Sequence, residues 1–308
     1  MITYVPTERD FLDHGLMFLN LAWDSVFSLL LEHRNVEQSY YDQEQAATYW
    51  QAARSPLSVA HALAQQGAEL ALKSQVARVS PYLLLASQPA DWPKINTCGE
   101  VAYADFRTID TQDLIKACNT VRSGPLPDAF VGTFTKFRKQ RNALLHTVDA
   151  RLEFSDTEIV RYILQVVQIV LPKQWPQIRR RHIEEQPIFK AYEVDGAMNE
   201  YVAEMSYVID LLKPTELQDF FGFETRQRRY ICPQCYWDLD RDYYPDKPRT
   251  AQLRPNTPQS TKVYCFVCDR ETEVVRQRCR NPTCKGNVIN ADHDRECLTC
   301  FEDQCEDS

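Results

Sequence analysis

Nine of the eleven cysteines lie between Cys232 and Cys305, and this crowding constrains the chain more than any other feature. They fall in pairs. Cys232-Pro-Gln-Cys235 is followed, 29 residues on, by Cys265-Phe-Val-Cys268. A CxxC turn presents two thiolates to one ion, and two such turns complete a tetrahedron. A second set runs Cys279-x4-Cys284 and then, after a twelve-residue gap, Cys297-Leu-Thr-Cys300. Its first spacer is looser but admissible. Cys305 is left over, and either it or His293 can replace an assigned ligand. Few residues in this stretch are suited to an apolar core, so folding there needs a staple. The spacing predicts two structural Zn2+ ions. Four thiolates fill each shell and leave no position for a reacting water, so neither ion is expected to be catalytic.

The runs Tyr230-Ile-Cys-Pro-Gln-Cys235 and Val263-Tyr-Cys-Phe-Val-Cys268 resemble the paired knuckles of zinc ribbons. The resemblance implies a small C-terminal module with short β-hairpins, spanning 226–308, with one site in about 230–270 and the other in about 276–305. Zinc ribbons contact nucleic acid or protein. From residue 232 onward there are eleven basic and fourteen acidic side chains, which weakens the nucleic-acid option, although Arg276, Arg278, Arg280 and Lys285 flank the second site. Short β-prone pieces lie at Arg229–Ile231, Lys262–Phe266 and Glu273–Arg276, and Pro245–Ser260 reads as a polar linker.

The preceding 1–225 predict a mainly α architecture. Thr7 with Asp10 opens a helix whose apolar positions run Phe11, Leu12, Leu16, Leu19, Trp23, Val26, Phe27 and Leu30. Further helices are expected from about Asp42, from Ser55-Pro56 to Ser80-Pro81, from Asp110 or Thr111 to near Gly124, and from Asp128 to about Val148. Ser155 and Glu158 form a capping-box pattern for another that ends before Pro172. Two more span 187–212, and Lys213-Pro214 marks the last break. Residues 86–107 read as irregular. Only 8 glycines occur and no Gly-rich phosphate loop is present, which argues against nucleotide folds of that kind. The start, MITYVPTERDFLDHG, lacks a secretory pattern, and no apolar run looks long enough for a bilayer. A cytoplasmic protein without a membrane partner is therefore expected. In a reducing compartment clustered thiols mean metal rather than disulfides, and Cys98 and Cys118 read as small buried side chains.

Charge is uneven. Residues 1–50 carry two basic and eight acidic side chains, whereas 121–190 carry twelve basic and seven acidic. Cations concentrated in an otherwise acidic chain suit a polyanion, although solvated helix faces give the same pattern. Within that segment, Phe130, Phe134, Phe137, Leu144, Leu145 and Val148 gather into one helical stripe, and Arg141 falls inside it. Arg138, Lys139, Asn142 and His146 make an adjacent polar stripe. An arginine on a core seam is costly unless it meets an anion or an acceptor-rich cleft.

Arg141-Asn142-x3-His146 resembles the Arg-x4–6-His motif of the HEPN superfamily, helical domains that include many metal-independent ribonucleases of toxin–antitoxin and phage-defence systems. Arg9…His14 and Arg54…His61 have a similar spacing. Acidic neighbours count against the first, and Ser55-Pro56 is expected to split the second between two helices. The resemblance implies a HEPN-like bundle, an RNA substrate, a homodimer through the helical domain and a possible antitoxin or other protein partner. It implies His146 as general acid or base, Arg141 on the scissile phosphate and Asn142 as orienting group, with Arg138 and Lys139 on the flanking RNA. Cleavage would leave 2′,3′-cyclic phosphate ends. The competing expectation is an inactive HEPN-like scaffold, in which Arg141 is buried against a carboxylate rather than open in a basic groove. Arg179-Arg-Arg-His182 is a further basic cluster that reads either as an RNA contact or as a solvated helix end. Trp175 reads as a packing anchor, and His33 as a cation complementing the end of the first helix.

Overall fold

The structure is a computed structural model. It describes residues 1–39, 42–86, 88, 92–94, 99–146, 152–192, 196–240, 242, 246–292 and 295–304. The chain is mainly helical, with a small C-terminal region of short antiparallel strands and cysteine clusters. It divides into two compact units, Met1–Pro172 and Lys173–Ser308. The sequence placed this division near 225, whereas helices between 175 and 221 belong with the cysteines.

In the first unit, β1 (Ile2–Thr3) pairs in parallel with β2 (Val101–Ala102), a short pairing inside the segment expected to be irregular. Helix α1 (Glu8–Ser39) begins where expected: the Thr7 N–H and hydroxyl donate to Asp10, and the Asp10 N–H donates back to the Thr7 hydroxyl. Asp42 caps α2 (Gln43–Ala52) by accepting from the Glu44 and Gln45 N–H groups. Helix α3 (Arg54–Ala77) follows after a single turn residue. Pro56 lies in its first turn, where a missing N–H costs nothing, so α3 runs through Ser55-Pro56. Arg54 and His61 therefore share one helix, contrary to the expectation that the proline separates them.

Helix α1 packs lengthwise on α3 and buries Leu19, Trp23, Val26, Phe27 and Leu30. The approach is close enough that a Cβ on Gly67 would sit 2.8 Å from the Leu19 side chain and 2.9 Å from the Gly15 carbonyl oxygen. Among the described residues, Glu8–Val36 is one stretch long and apolar enough to cross a membrane by length and composition, which corrects the reading that no run is; in this fold its apolar face covers α3. The unit is completed by α4 (Thr111–Val121), α5 (Asp128–His146) and α6 (Asp156–Val170), the last capped by Ser155. Because α1 extends past His33, that ring is not at a helix end; it packs 5.2 Å from both Tyr49 and Trp50.

The second unit opens with α7 (Trp175–Glu184), α8 (Pro187–Ala191), α9 (Ala197–Leu211) and α10 (Pro214–Phe221). The sequence reading missed α7 and α10, whose prolines at the first helical positions start helices rather than breaking them. Arg179 is wholly buried and bidentate on Glu204, at 2.9 and 3.3 Å, so it forms no RNA-facing cluster. Trp175 is buried, as a packing anchor should be. After the short helix α11 (Pro233–Trp237) comes a four-stranded antiparallel sheet in the order β3 (Ala251–Leu253), β4 (Lys262–Cys265), β5 (Arg270–Val275), β6 (Ile289–Asn290). Strand β3 lies in the supposed polar linker and is buried along its length, paired Ala251 to Cys265.

Candidate metal centres and the Arg141 helix

The C-terminal cysteines converge into two groups of four. Cys232, Cys235, Cys265 and Cys268 place all their sulfurs within 4.8 Å of one another, as do Cys279, Cys284, Cys297 and Cys300. The Cys232–Cys268 and Cys235–Cys265 sulfurs are 3.6 and 3.8 Å apart, and Cys279–Cys300 and Cys284–Cys297 are 3.7 and 3.9 Å. Four sulfurs held about 2.3 Å from a tetrahedral ion sit roughly 3.8 Å from each other. A disulfide needs about 2.05 Å, and none of these cysteines forms one. The donor set and its spacing thus fit two metal ions, one per group. Cys305 and His293, the alternative ligands, lie outside the described residues, as does Cys98.

Local chain geometry places the thiolates. The Cys235 N–H points back to the Cys232 sulfur at 3.5 Å, and the Gly286 N–H to the Cys284 sulfur at 3.3 Å. Thr250 Oγ1 lies 3.1 Å from the Cys265 sulfur. Gly286 is required by space, since a Cβ there would fall 2.7 Å from the Cys297 sulfur. The two groups are linked through the backbone: the Ile231 N–H, beside Cys232, donates to the Leu298 carbonyl, beside Cys297, at 2.8 Å. Tyr201 on α9 donates its hydroxyl to the Val267 carbonyl between Cys265 and Cys268, at 2.6 Å. Asn199 and Asp240 exchange two further bonds. These ties explain why α9 groups with the cysteines rather than with the first unit.

In the first unit, Phe130, Phe134 and Phe137 of α5 are buried. The apolar stripe stops there. Leu145 is 57% exposed, and Val148 lies outside the described residues. Arg141 turns inward to Glu69 of α3, with Nη2 2.6 Å from Oε1; the side chains are 20% and 9% exposed. Glu69 also accepts from Gln65 Nε2 at 3.1 Å, and Gln65 Oε1 accepts from the buried Tyr162 hydroxyl at 2.8 Å. Asn142 and His146 are both exposed. On a helix they lie about 40° apart, whereas Arg141 and His146 lie about 140° apart. The fold thus sets Asn142 and His146 on one open face and turns Arg141 away from them. Lys139 is exposed and Arg138 half-buried.

Comparison with protein-family models, with curated proteins and with solved structures finds no match to this chain.

The residues that engage Arg141 escaped the sequence reading, although a signal exists. His61, Gln65, Glu69 and Lys73 recur every fourth position through the Ala-rich α3. Each meets a different partner. His61 Nε2 bonds the Phe137 carbonyl at 3.2 Å, its ring stacks on Phe137 at 4.2 Å, and burial pushes its pKa down to about 4. Burial also lowers the Lys73 pKa, against the opposing charge of Glu69, and its ammonium reaches Thr108. The other two motif-like pairs resolve differently. Arg9 pairs with Asp13 at 3.0 Å, and Arg54 donates to the Leu152 carbonyl at 3.3 Å. Cys118 is buried as expected, its thiol pushed up to about 12 by loss of solvent.

Proposed function

We propose that this chain is an intracellular recognition protein whose second unit is ordered by two structural zinc ions and whose first unit is a non-catalytic helical scaffold. The observation that carries the reading is the Arg141–Glu69 pair. A guanidinium already neutralised at 2.6 Å and largely covered is a poor ligand for an incoming phosphate. Cys232, Cys235, Cys265 and Cys268 would hold one zinc ion, and Cys279, Cys284, Cys297 and Cys300 the other. Zinc supplies folding free energy there and no reaction. The thiols of these groups are free of disulfides, which suits a reducing, cytoplasmic setting.

A second reading is supported by the exposed face that Asn142 shares with His146, beside Lys139. In it the first unit is a HEPN-type endoribonuclease, of toxin or defence character by its resemblance, and a homodimer brings two such faces together. His146 takes the proton from an RNA 2′-hydroxyl, the oxygen attacks the adjacent phosphorus as the P–O5′ bond breaks, and the 5′-oxygen leaves with the proton returned by the His146 imidazolium. The products are a 2′,3′-cyclic phosphate and a 5′-hydroxyl. Glu69 then orients Arg141 rather than sequestering it.

One experiment separates the two. Purified protein is incubated with total RNA during a short EDTA treatment, and the ends are mapped for wild type, His146→Ala and Glu69→Gln. The scaffold reading expects no cyclic-phosphate ends from any of them. Cleavage by wild type that is lost in His146→Ala overturns it and establishes the nuclease.

A further inference from the structure

Within the second unit, a cleft of about 270 Å³ is lined by Lys173, Gln218, Gln227, Arg254, Asn256 and Tyr264, among others. Its floor includes the buried rings of Phe223 and Phe266, 5.1 Å apart. Arg254 is the distinctive group. Its guanidinium carbon sits 3.8 Å over the Tyr264 ring, and the Tyr264 hydroxyl is anchored on Asp269 at 2.7 Å. The ring is therefore fixed, and it fixes the cation above it. Gly222, which closes α10 in the left-handed conformation, also lines the cleft beside Arg254. Among the described residues no carboxylate pairs with Arg254 at ion-pair distance, although Glu271, opposite Tyr264 in the β4–β5 pairing, is near enough to feel its charge. Its guanidinium is thus held in place in the lining of the cleft.

We propose that this cleft binds a nucleotide. Guanidinium with a neighbouring ammonium suits a phosphate, for which a held fork loses little freedom on binding. Lys173, which already engages another group of the fold, adds its charge to the lining. The amides of Gln218 and Asn256 carry both donors and acceptors and match the mixed edge of a nucleobase, and Gln227 adds its amide oxygen. Gln252, by contrast, is spent on the fold, since it bonds both the N–H and the carbonyl of Glu224. Glu224 is the one carboxylate lining the cleft, and it accepts from Gln227 at 2.9 Å. With Lys173 and Arg254 opposite, the lining keeps a net positive charge. The volume is near the lower end for ligand pockets, about 300 Å³, which favours a mononucleotide over a larger cofactor. The assignment stands on the cleft alone and is independent of whether the first unit cleaves RNA.

The test is isothermal titration of the zinc-loaded full chain with the four nucleoside 5′-monophosphates, adenosine and inorganic phosphate. Saturable one-site binding of at least one nucleotide is expected, weakened about tenfold in Arg254→Gln with zinc content unchanged. Should Arg254→Gln lose zinc, Lys173→Gln is the deciding variant, with a weakening of about threefold expected. Four results would each overturn the proposal: no saturable binding by any nucleotide, unchanged affinity in the deciding variant, adenosine binding as tightly as its monophosphate, or inorganic phosphate binding as tightly as the nucleotide.

Discussion

Arg141 reaches Glu69 across 2.6 Å, although the two are 72 positions apart in the chain. Behind Glu69 the polar chain continues through Gln65 to Tyr162 and so joins α3, α5 and α6. A carboxylate buried in this way depends on its cation. Glu69→Gln should lower stability by about 1–3 kcal/mol, less than a fully buried pair because Arg141 is one-fifth exposed. Urea unfolding read by the loss of helical signal checks this, and a midpoint equal to wild type would mean the pair is ornamental.

His61 makes stability depend on pH. Its folded pKa is held down to about 4 against an ordinary 6.5, with burial as the main cause. Between those values the unfolded chain binds a proton that the folded chain refuses. Stability therefore rises with pH through this window and is lost as pH falls from 6.5 toward 4, by on the order of 3 kcal/mol in total. Comparing urea midpoints at pH 7 and pH 5 for wild type and His61→Gln tests it. The variant should be weaker at pH 7 and should lose less on acidification.

Metal content should follow the two cysteine groups separately. Elemental analysis is expected to give two zinc ions per chain, with Cys265→Ser and Cys297→Ser each lowering the number by about one or more. Chelation should remove hydrogen-exchange protection from β3, β4 and β5 while α3 keeps its own. A Cys265→Ser protein that retains both ions would disprove the assigned ligand set.

Gly67→Ala pits two effects against each other. Alanine favours a helix by roughly 1 kcal/mol, but its Cβ would meet Leu19 and the Gly15 backbone at under 3 Å. Backbone cannot swing aside as a flexible side chain can, so a net loss of about 1–2 kcal/mol is expected. A thermal midpoint at or above wild type would show that α1 and α3 can separate cheaply.

Arg179 and Glu204 are both buried, and Arg179→Met leaves a carboxylate without its cation. The expected cost is about 3–5 kcal/mol, with most of it recovered in Arg179→Met/Glu204→Leu. Denaturant unfolding of the zinc-loaded proteins decides it, and equal losses in the single and double variants would contradict the argument.

Much of this architecture was legible from local rules. Thr7 with Asp10, Asp42 and Ser155 each announced a helix start, because a cap is written within four residues. The cysteine groups were legible for a related reason. CxxC spacing fixes the local turn, and pairing the turns two by two requires only that a metal have four ligands.

What the sequence alone could not decide was how elements sort and which polar groups meet. Whether α9 belongs with the helices before it or with the cysteines after it depends on Tyr201 reaching the Val267 carbonyl, a bond between residues 66 apart. Strand β3 looked like linker because it is only three residues long and set among polar residues and prolines; its pairing with β4 goes with its burial. Arg141 carried two opposite meanings on the helical wheel, phosphate ligand or buried ion-pair partner. Periodicity shows which face a residue occupies but not what lies opposite, and Glu69 is supplied by another helix. The metal centres were determined by spacing along the chain, while the fate of Arg141 was determined by packing across it.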